Sequence, residues 1–168
     1  MKPNVDNIPD FYKGYVQSVI NSDYQIVLSQ VYEDTIKILE SISEEKSNYA
    51  YADNKWTIKD IVQHLVDSDR IFGYRAVAIS RGEKQPIMGY DHNAYVDNAF
   101  ANNRSYNSIL TEFRNLHQST KDLFNSFSPE MLKMTGNANG FDIKIIDLIY
   151  ITAGHQKHHI SVLKERYL

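Results

Sequence analysis

Apolar positions recur along most of this chain at steps of three and four residues, the spacing of one face of an α-helix and not the alternation of a strand. Four segments carry the pattern far enough to form bundle helices. The first spans about Asp23 to Ser43, where Ile26, Leu28, Val31, Tyr32, Ile36 and Leu39 fill one broad face. A shorter helical piece precedes it around Phe11 to Ile20, and Glu44 to Lys55 reads as a connecting loop. The second helix has the clearest start. Thr57 is an N-cap, Asp60 three residues on completes a capping box, and Trp56 can staple onto Ile61. This helix runs to about Ser80, with an inward stripe of Ile61, His64, Leu65, Ser68, Ile71, Phe72, Arg75 and Ile79. The third runs from about Ser105 to Phe127, with Ile109, Phe113, Leu116, Thr120 and Leu123 on one face. The fourth runs from about Asp142 to Arg166, with Ile145, Leu148, Thr152, His155, His159 and Val162 in line.

The segments between them read as loops. Arg81 to Asn103 carries Gly82, Pro86 and Gly89 and is longer than the ~15 residues that most connections stay under. Ser128-Pro129-Glu130 looks like a cap with proline at the first position of a short helical turn. Gly136 to Gly140 reads as a loop. Pro3, Pro9, Pro86 and Pro129 all fall outside the long periodic segments, so no helix is broken. The expectation is an all-α, single-domain four-helix bundle spanning residues 1–168.

Polar residues break this pattern informatively at the histidines. His155 and His159 are i and i+4 on a line that is otherwise apolar, so both rings leave the same helix face one turn apart. That spacing lets two imidazoles converge on one ion. His64 lies on the inward stripe of the second helix. Three neutral imidazoles leave a fourth position open, the pattern of a catalytic site. A pair of His155 and His158 at i, i+3 is an alternative; His159 lies closer to the line of Leu148, Thr152 and His155. His92 falls in the long loop, and His117 reads as a surface or boundary residue.

A three-histidine site makes a demand on topology. His64 lies about seven residues after the start of its helix, and the other two lie about seven to eleven residues before the end of theirs, so a parallel pair would leave them about 12 Å apart in height. An antiparallel pair brings them level. Simple up-down-up-down order makes the second and fourth helices parallel. Up-down-down-up order makes them antiparallel and requires a long crossover between the second and third helices, which Arg81 to Asn103 can supply.

Composition narrows the chemistry. The chain has no cysteine, which excludes disulfides, a thiolate nucleophile, thiolate zinc sites and iron–sulfur clusters. Imidazole and carboxylate remain as ligands; imidazole suits zinc, nickel, copper and iron(II), and zinc or nickel is the expected divalent ion. A net charge of −3 without a basic patch argues against nucleic acid. No signal-peptide core and no run of ~18 apolar residues is present, so a cytoplasmic protein without membrane contact is expected.

Three stretches carry a family resemblance. Trp56-Thr57-Ile58-Lys59-Asp60-Ile61-Val62-Gln63-His64-Leu65, the stretch Arg75 to Glu83 with Gly89-Tyr90-Asp91 beyond it, and Gly154-His155-Gln156-Lys157-His158-His159 together resemble the DinB/YfiT-like family from about Asp23 to the end. The resemblance implies a four-helix bundle with a three-histidine metal site, often dimeric, whose relatives include thiol S-transferases using bacillithiol or mycothiol and a mycothiol-dependent isomerase. A homodimer acting on a small-molecule thiol and an electrophile is therefore expected. Metal-assisted hydrolysis, with Asp67 or Asp69 as base or supporting group, and a non-catalytic metal-binding or stress-related interaction protein are the competing readings. Arg75, Tyr90, Asp91, His92 and Tyr95 are the expected substrate-binding residues, Arg75 for an anionic group and the others as a pocket rim.

Overall fold

The computed structural model describes residues 1–168. Four long helices form the bundle: α2 (Val27–Glu40), α4 (Ile58–Ser80), α6 (Tyr106–Asn125) and α7 (Ile145–Arg166). Three shorter helices accompany them: α1 (Asp10–Val19), α3 (Glu44–Ser47) and α5 (His92–Ala99). One antiparallel hairpin, β1 (Thr135–Ala138) and β2 (Phe141–Lys144), precedes α7.

Packing fixes the directions of the bundle helices. The hydroxyl of Tyr167, just past α7, donates to the carbonyl of Trp56, just before α4, at 2.8 Å. At the other end Ile145 and Ile146 share a buried cluster with Phe72, Ala76 and Ile79. These two helices are therefore antiparallel. Ile58, Val62 and Leu65 instead cluster with Tyr106, Ile109 and Leu110, and Phe72 and Ala76 cluster with Phe124, so α4 and α6 are parallel. Val27 and Leu28 belong with the start of α7 and Leu39 with its end, which makes α2 parallel to α7. The order is up-down-down-up, as the histidine spacing requires.

Several segments expected to be loops are built. Ser43 accepts a bond from the Lys46 amide at 3.1 Å and starts α3. Glu44 then accepts from the Tyr106 amide at 2.7 Å and pairs with Lys59, which ties this connection to both α4 and α6. Within the 81–103 crossover, Asp91 caps α5 by accepting from the amides of Asn93 and Ala94. Residues 136–140 form most of β1 and the hairpin turn: Asn139 and Gly140 take consecutive positive φ angles of 56° and 81°, the conformation that a two-residue Asn-Gly turn needs to match strand twist. Pairing of residues 142–144 in β2 delays α7 to Ile145. At the first long helix, the Asp23 carboxylate caps the Gln25 amide in a turn, and α2 begins at Val27.

The core is divided. One apolar cluster contains Val27, Leu28, Phe72, Ala76, Phe124 and the start of α7; the other contains Leu39, the first turns of α4 and α6, and the end of α7. Between them every bundle helix contributes buried polar residues: Thr35, Asp69, His117 with Thr120, and Gln156. His117, expected near the surface, is buried with its ring stacked on Tyr32 at 3.7 Å between centroids; the polar layer puts it on the inner face of α6. Burial raises the Asp69 carboxyl to about 7, with no ion pair opposing it.

Two outcomes follow from this packing. Gly154 of α7 lies under the Tyr15 carbonyl of α1, and an added methyl would run into that backbone. Gly154→Ala is expected to lower stability by about 1–3 kcal/mol, the usual cost of overpacking, seen as an earlier denaturant midpoint and faster proteolysis within residues 1–20. Asp69 binds its proton more tightly folded than unfolded, so its contribution to stability falls as pH rises from about 4 to about 7. Asp69→Asn should therefore gain on the wild type across that window and hold a constant difference above it. Thermal melts from pH 4 to 8 test this; a pH-independent difference would show that Asp69 is ionised throughout.

Candidate metal centre

The antiparallel register of α4 and α7 brings three imidazoles together. Nε2 of His155 is 3.1 Å from Nε2 of His64 and 3.1 Å from Nε2 of His159. One ligand atom from each ring lies within 4.8 Å of the others. His64 and His155 are buried and His159 is half-buried. Burial holds His64 down to about 4, and His155 and His159 well below the usual imidazole value, with neighbouring imidazoles adding to the effect. All three rings are neutral near pH 7, the state in which imidazole binds a metal. His64, His155 and His159 could hold a divalent ion. His158, the alternative ligand, is exposed and faces Tyr15 at 5.2 Å between ring centroids.

Aromatic packing orients the cluster. Trp56 joins the apolar cluster containing Ile61, as a staple should, and also lies against His64 at 4.9 Å and His159 at 6.4 Å between centroids. Tyr15 and Phe72 meet His155 edge-on at 5.4 and 5.8 Å. The Nδ1 atom of His155 has no hydrogen-bond partner, so contact with these rings, and not a bonded carboxylate, sets its orientation.

The imidazoles open onto a cavity of about 440 Å³. Arg75, Tyr90 and His92, expected from the sequence, line it. The Tyr90 hydroxyl is 2.9 Å from that of Ser68 on the α4 stripe, which holds the crossover against the helix. Asp91 and Tyr95 do not line the cavity. Asp91 is committed to capping α5, and Tyr95, on that helix, is exposed and packs against Tyr90 at 4.9 Å. Phe11, Tyr12 and Tyr15 of α1, Asn139 of the hairpin turn and His158 of α7 complete the wall. The only trace of the α1 residues in the sequence is an aromatic cluster on a short helix.

No carboxylate lines the cavity. Asp67, half-buried, accepts from Gln63 Nε2 at 3.1 Å and faces Arg70 in a neighbouring cleft. Asp69, five residues past His64, is turned roughly 140° from it around the helix and enters the buried polar layer. Neither acid is in place to serve as the base that hydrolysis would draw from α4.

Comparison with known proteins agrees with this architecture. The protein YfiT from Bacillus subtilis, described as a probable metal-dependent hydrolase with an unusual four-helix bundle topology, superposes with a TM-score of 0.72 at 20% identity, over 98% of this chain and 90% of that one. Comparison with curated proteins gave no match. No helix is long and apolar enough to cross a membrane. The DinB superfamily model matches residues 28–163, from the start of α2 to the last turns of α7 and across all three histidines, and the chain belongs to that superfamily.

Proposed function

We propose that this protein is a metal-dependent enzyme that activates a low-molecular-weight thiol for transfer to an electrophile. The observation that carries the reading is the cavity itself: three neutral imidazoles converge on one side of a space that contains no carboxylate and no cysteine. His64, His155 and His159 would hold the ion, with zinc or nickel the proposed metal. When bound, the divalent ion would lower the pKa of a thiol placed beside it. The chain supplies no thiol, so the nucleophile comes from a cosubstrate. In the transfer a sulfur–carbon bond forms, the bond to the leaving group breaks, and the thiol proton departs with that group.

The chain's own residues bind and shield. Trp56, Tyr15 and Phe72 fix the imidazole planes and keep bulk water from their inner sides. Tyr90 and His92 form the wall from the crossover, and Asn139 the wall from the hairpin. Attack by a thiolate needs no protein base at the moment of bond formation, which suits a cavity free of carboxylates. Hydrolysis of an ester or amide is the second reading, favoured by the description of the Bacillus subtilis relative. It would take its base from His92, which lies 6.0 Å from His64 between ring centroids.

Plasma mass spectrometry on untagged protein should find about one divalent ion per chain in the wild type and little in His155→Ala/His159→Ala. The metal-loaded protein should consume thiol when given an aryl chloride electrophile, at a rate at least about tenfold above the double variant. Ester cleavage without thiol consumption would replace transfer by hydrolysis. Full metal content in the double variant would remove the three-histidine site.

A further inference from the structure

Arg75 is only 2% exposed, among the most deeply buried large side chains in the molecule. A cation so placed ordinarily has an acid beside it, because an unpaired buried charge is costly. Lys59, at 3% exposure, has Glu44. Arg70 and Arg104 share Glu112, and Arg114 has Glu40. Arg75 has no acid within ion-pair range. Its guanidinium makes two long contacts, from Nη1 to the Tyr12 hydroxyl and from Nη2 to the Met88 carbonyl, both at 3.4 Å. Nε is buried without any partner. A guanidinium has five N–H donors, and most of these are unused. This side chain lines the same cavity as the three histidines and is the one arginine or lysine that does so.

We propose that the cavity binds a substrate carrying a carboxylate, which seats on Arg75. The planar guanidinium fork matches a carboxylate with two parallel hydrogen bonds. A single cation without a second basic group favours a monoanion over a phosphate dianion. Between this seat and the imidazoles the wall is aromatic: Tyr12 meets Phe72 at 6.1 Å, and Phe72 meets His155 at 5.8 Å between centroids. The substrate thus has an acidic end on Arg75, an apolar body across Tyr12 and Phe72, and a reacting end at the histidines. His64 and Arg75 are eleven residues apart on one helix, about 16 Å along its axis, and the arginine leans back towards the N-terminus, so several bonds separate the two ends. The position of the reacting end rests on the function proposed above; the carboxylate seat does not.

Trp56, the only tryptophan, lines the cavity and reports occupancy by its fluorescence. Phenylacetate, phenylacetamide and phenyl phosphate are titrated into the full-length protein as purified, beside Arg75→Lys and Arg75→Met. The wild type should bind phenylacetate at least about tenfold more tightly than the uncharged amide. Arg75→Met should abolish that preference, and Arg75→Lys should keep only part of it. Equal binding of acid and amide by the wild type overturns the proposal. So does a preference that survives in Arg75→Met, since the carboxylate would then sit at the histidines. Tighter binding of phenyl phosphate overturns the assignment to carboxylates. If Arg75→Met does not fold, nitrogen-15 NMR of the wild type decides: the Arg75 Nε–H signal should move with phenylacetate and not with phenylacetamide, and an unmoved signal overturns the seat. None of these readouts depends on turnover, so failure of thiol transfer leaves them standing.

Discussion

The pairing of α4 with α7 in antiparallel register is the constraint on which the rest of this protein depends. Leu65 and Val66 follow His64 into one apolar cluster, Ile160 and Leu163 follow His159 into the same cluster, and their burial sets the two helices at one height. With that height set, His64 meets His155 and His159 with no residue between them. The pairing also dictates topology. Two antiparallel helices that are second and fourth in a four-helix order require one parallel pair of consecutive helices, and here that pair is α4 and α6. The chain must then travel the full length of the bundle between Ser80 and Tyr106. That crossover is not idle: its Tyr90 and His92 become one wall of the cavity.

A second consequence is that the site is built on rigid elements and closed by short ones. Helices α4 and α7 hold the imidazoles, and their rings are fixed by packing against Trp56, Tyr15 and Phe72. The closing walls come from α1, the crossover and the hairpin turn. These pieces are joined to one another: Ile87 of the crossover exchanges backbone hydrogen bonds with Asn137 and Asn139 of the hairpin, and Phe11 of α1 meets Phe141 of β2 at 5.4 Å between centroids. The division suits the function proposed above, which needs the three imidazoles held still while the pocket is shaped around a ligand.

The bundle's interior combines this apolar packing with deliberate polarity. Thr35, Asp69, His117, Thr120 and Gln156 interrupt the apolar core at one level, and Gln156 sits beside His155 in sequence. Several of these groups have no partner, among them the Thr35 hydroxyl and both amide atoms of Gln156. A layer of this kind lowers stability relative to an apolar core. Of the buried polar atoms without a partner, Arg75 Nε and His155 Nδ1 belong to residues that line the cavity, while the Thr35 hydroxyl and the Gln156 amide belong to the polar layer.

Much of this was legible in the residues alone. Helical periodicity located the four bundle helices, the Thr57–Asp60 capping box located the start of α4, and the i, i+4 pair with His64 on a second apolar stripe was enough to demand antiparallel helices and a long crossover. These follow from sequence because helix faces and caps are local: they depend on residues within a turn or two of one another. The Asn139-Gly140 turn is equally local, but its strands are only four residues long and carry too short a pattern to read as a hairpin. Other features were not local. That α1 folds back to bring Tyr12 and Tyr15 over the histidines depends on Gly154, more than a hundred residues away, admitting the Tyr15 carbonyl. That Asp67 and Asp69 are excluded from the cavity, that Asp91 is spent on a cap, and that Arg75 is buried without a counter-ion are matters of which neighbours surround a side chain. A sequence specifies the donors and charges it carries; only tertiary packing decides which of them find partners and which are left facing the space a ligand would fill.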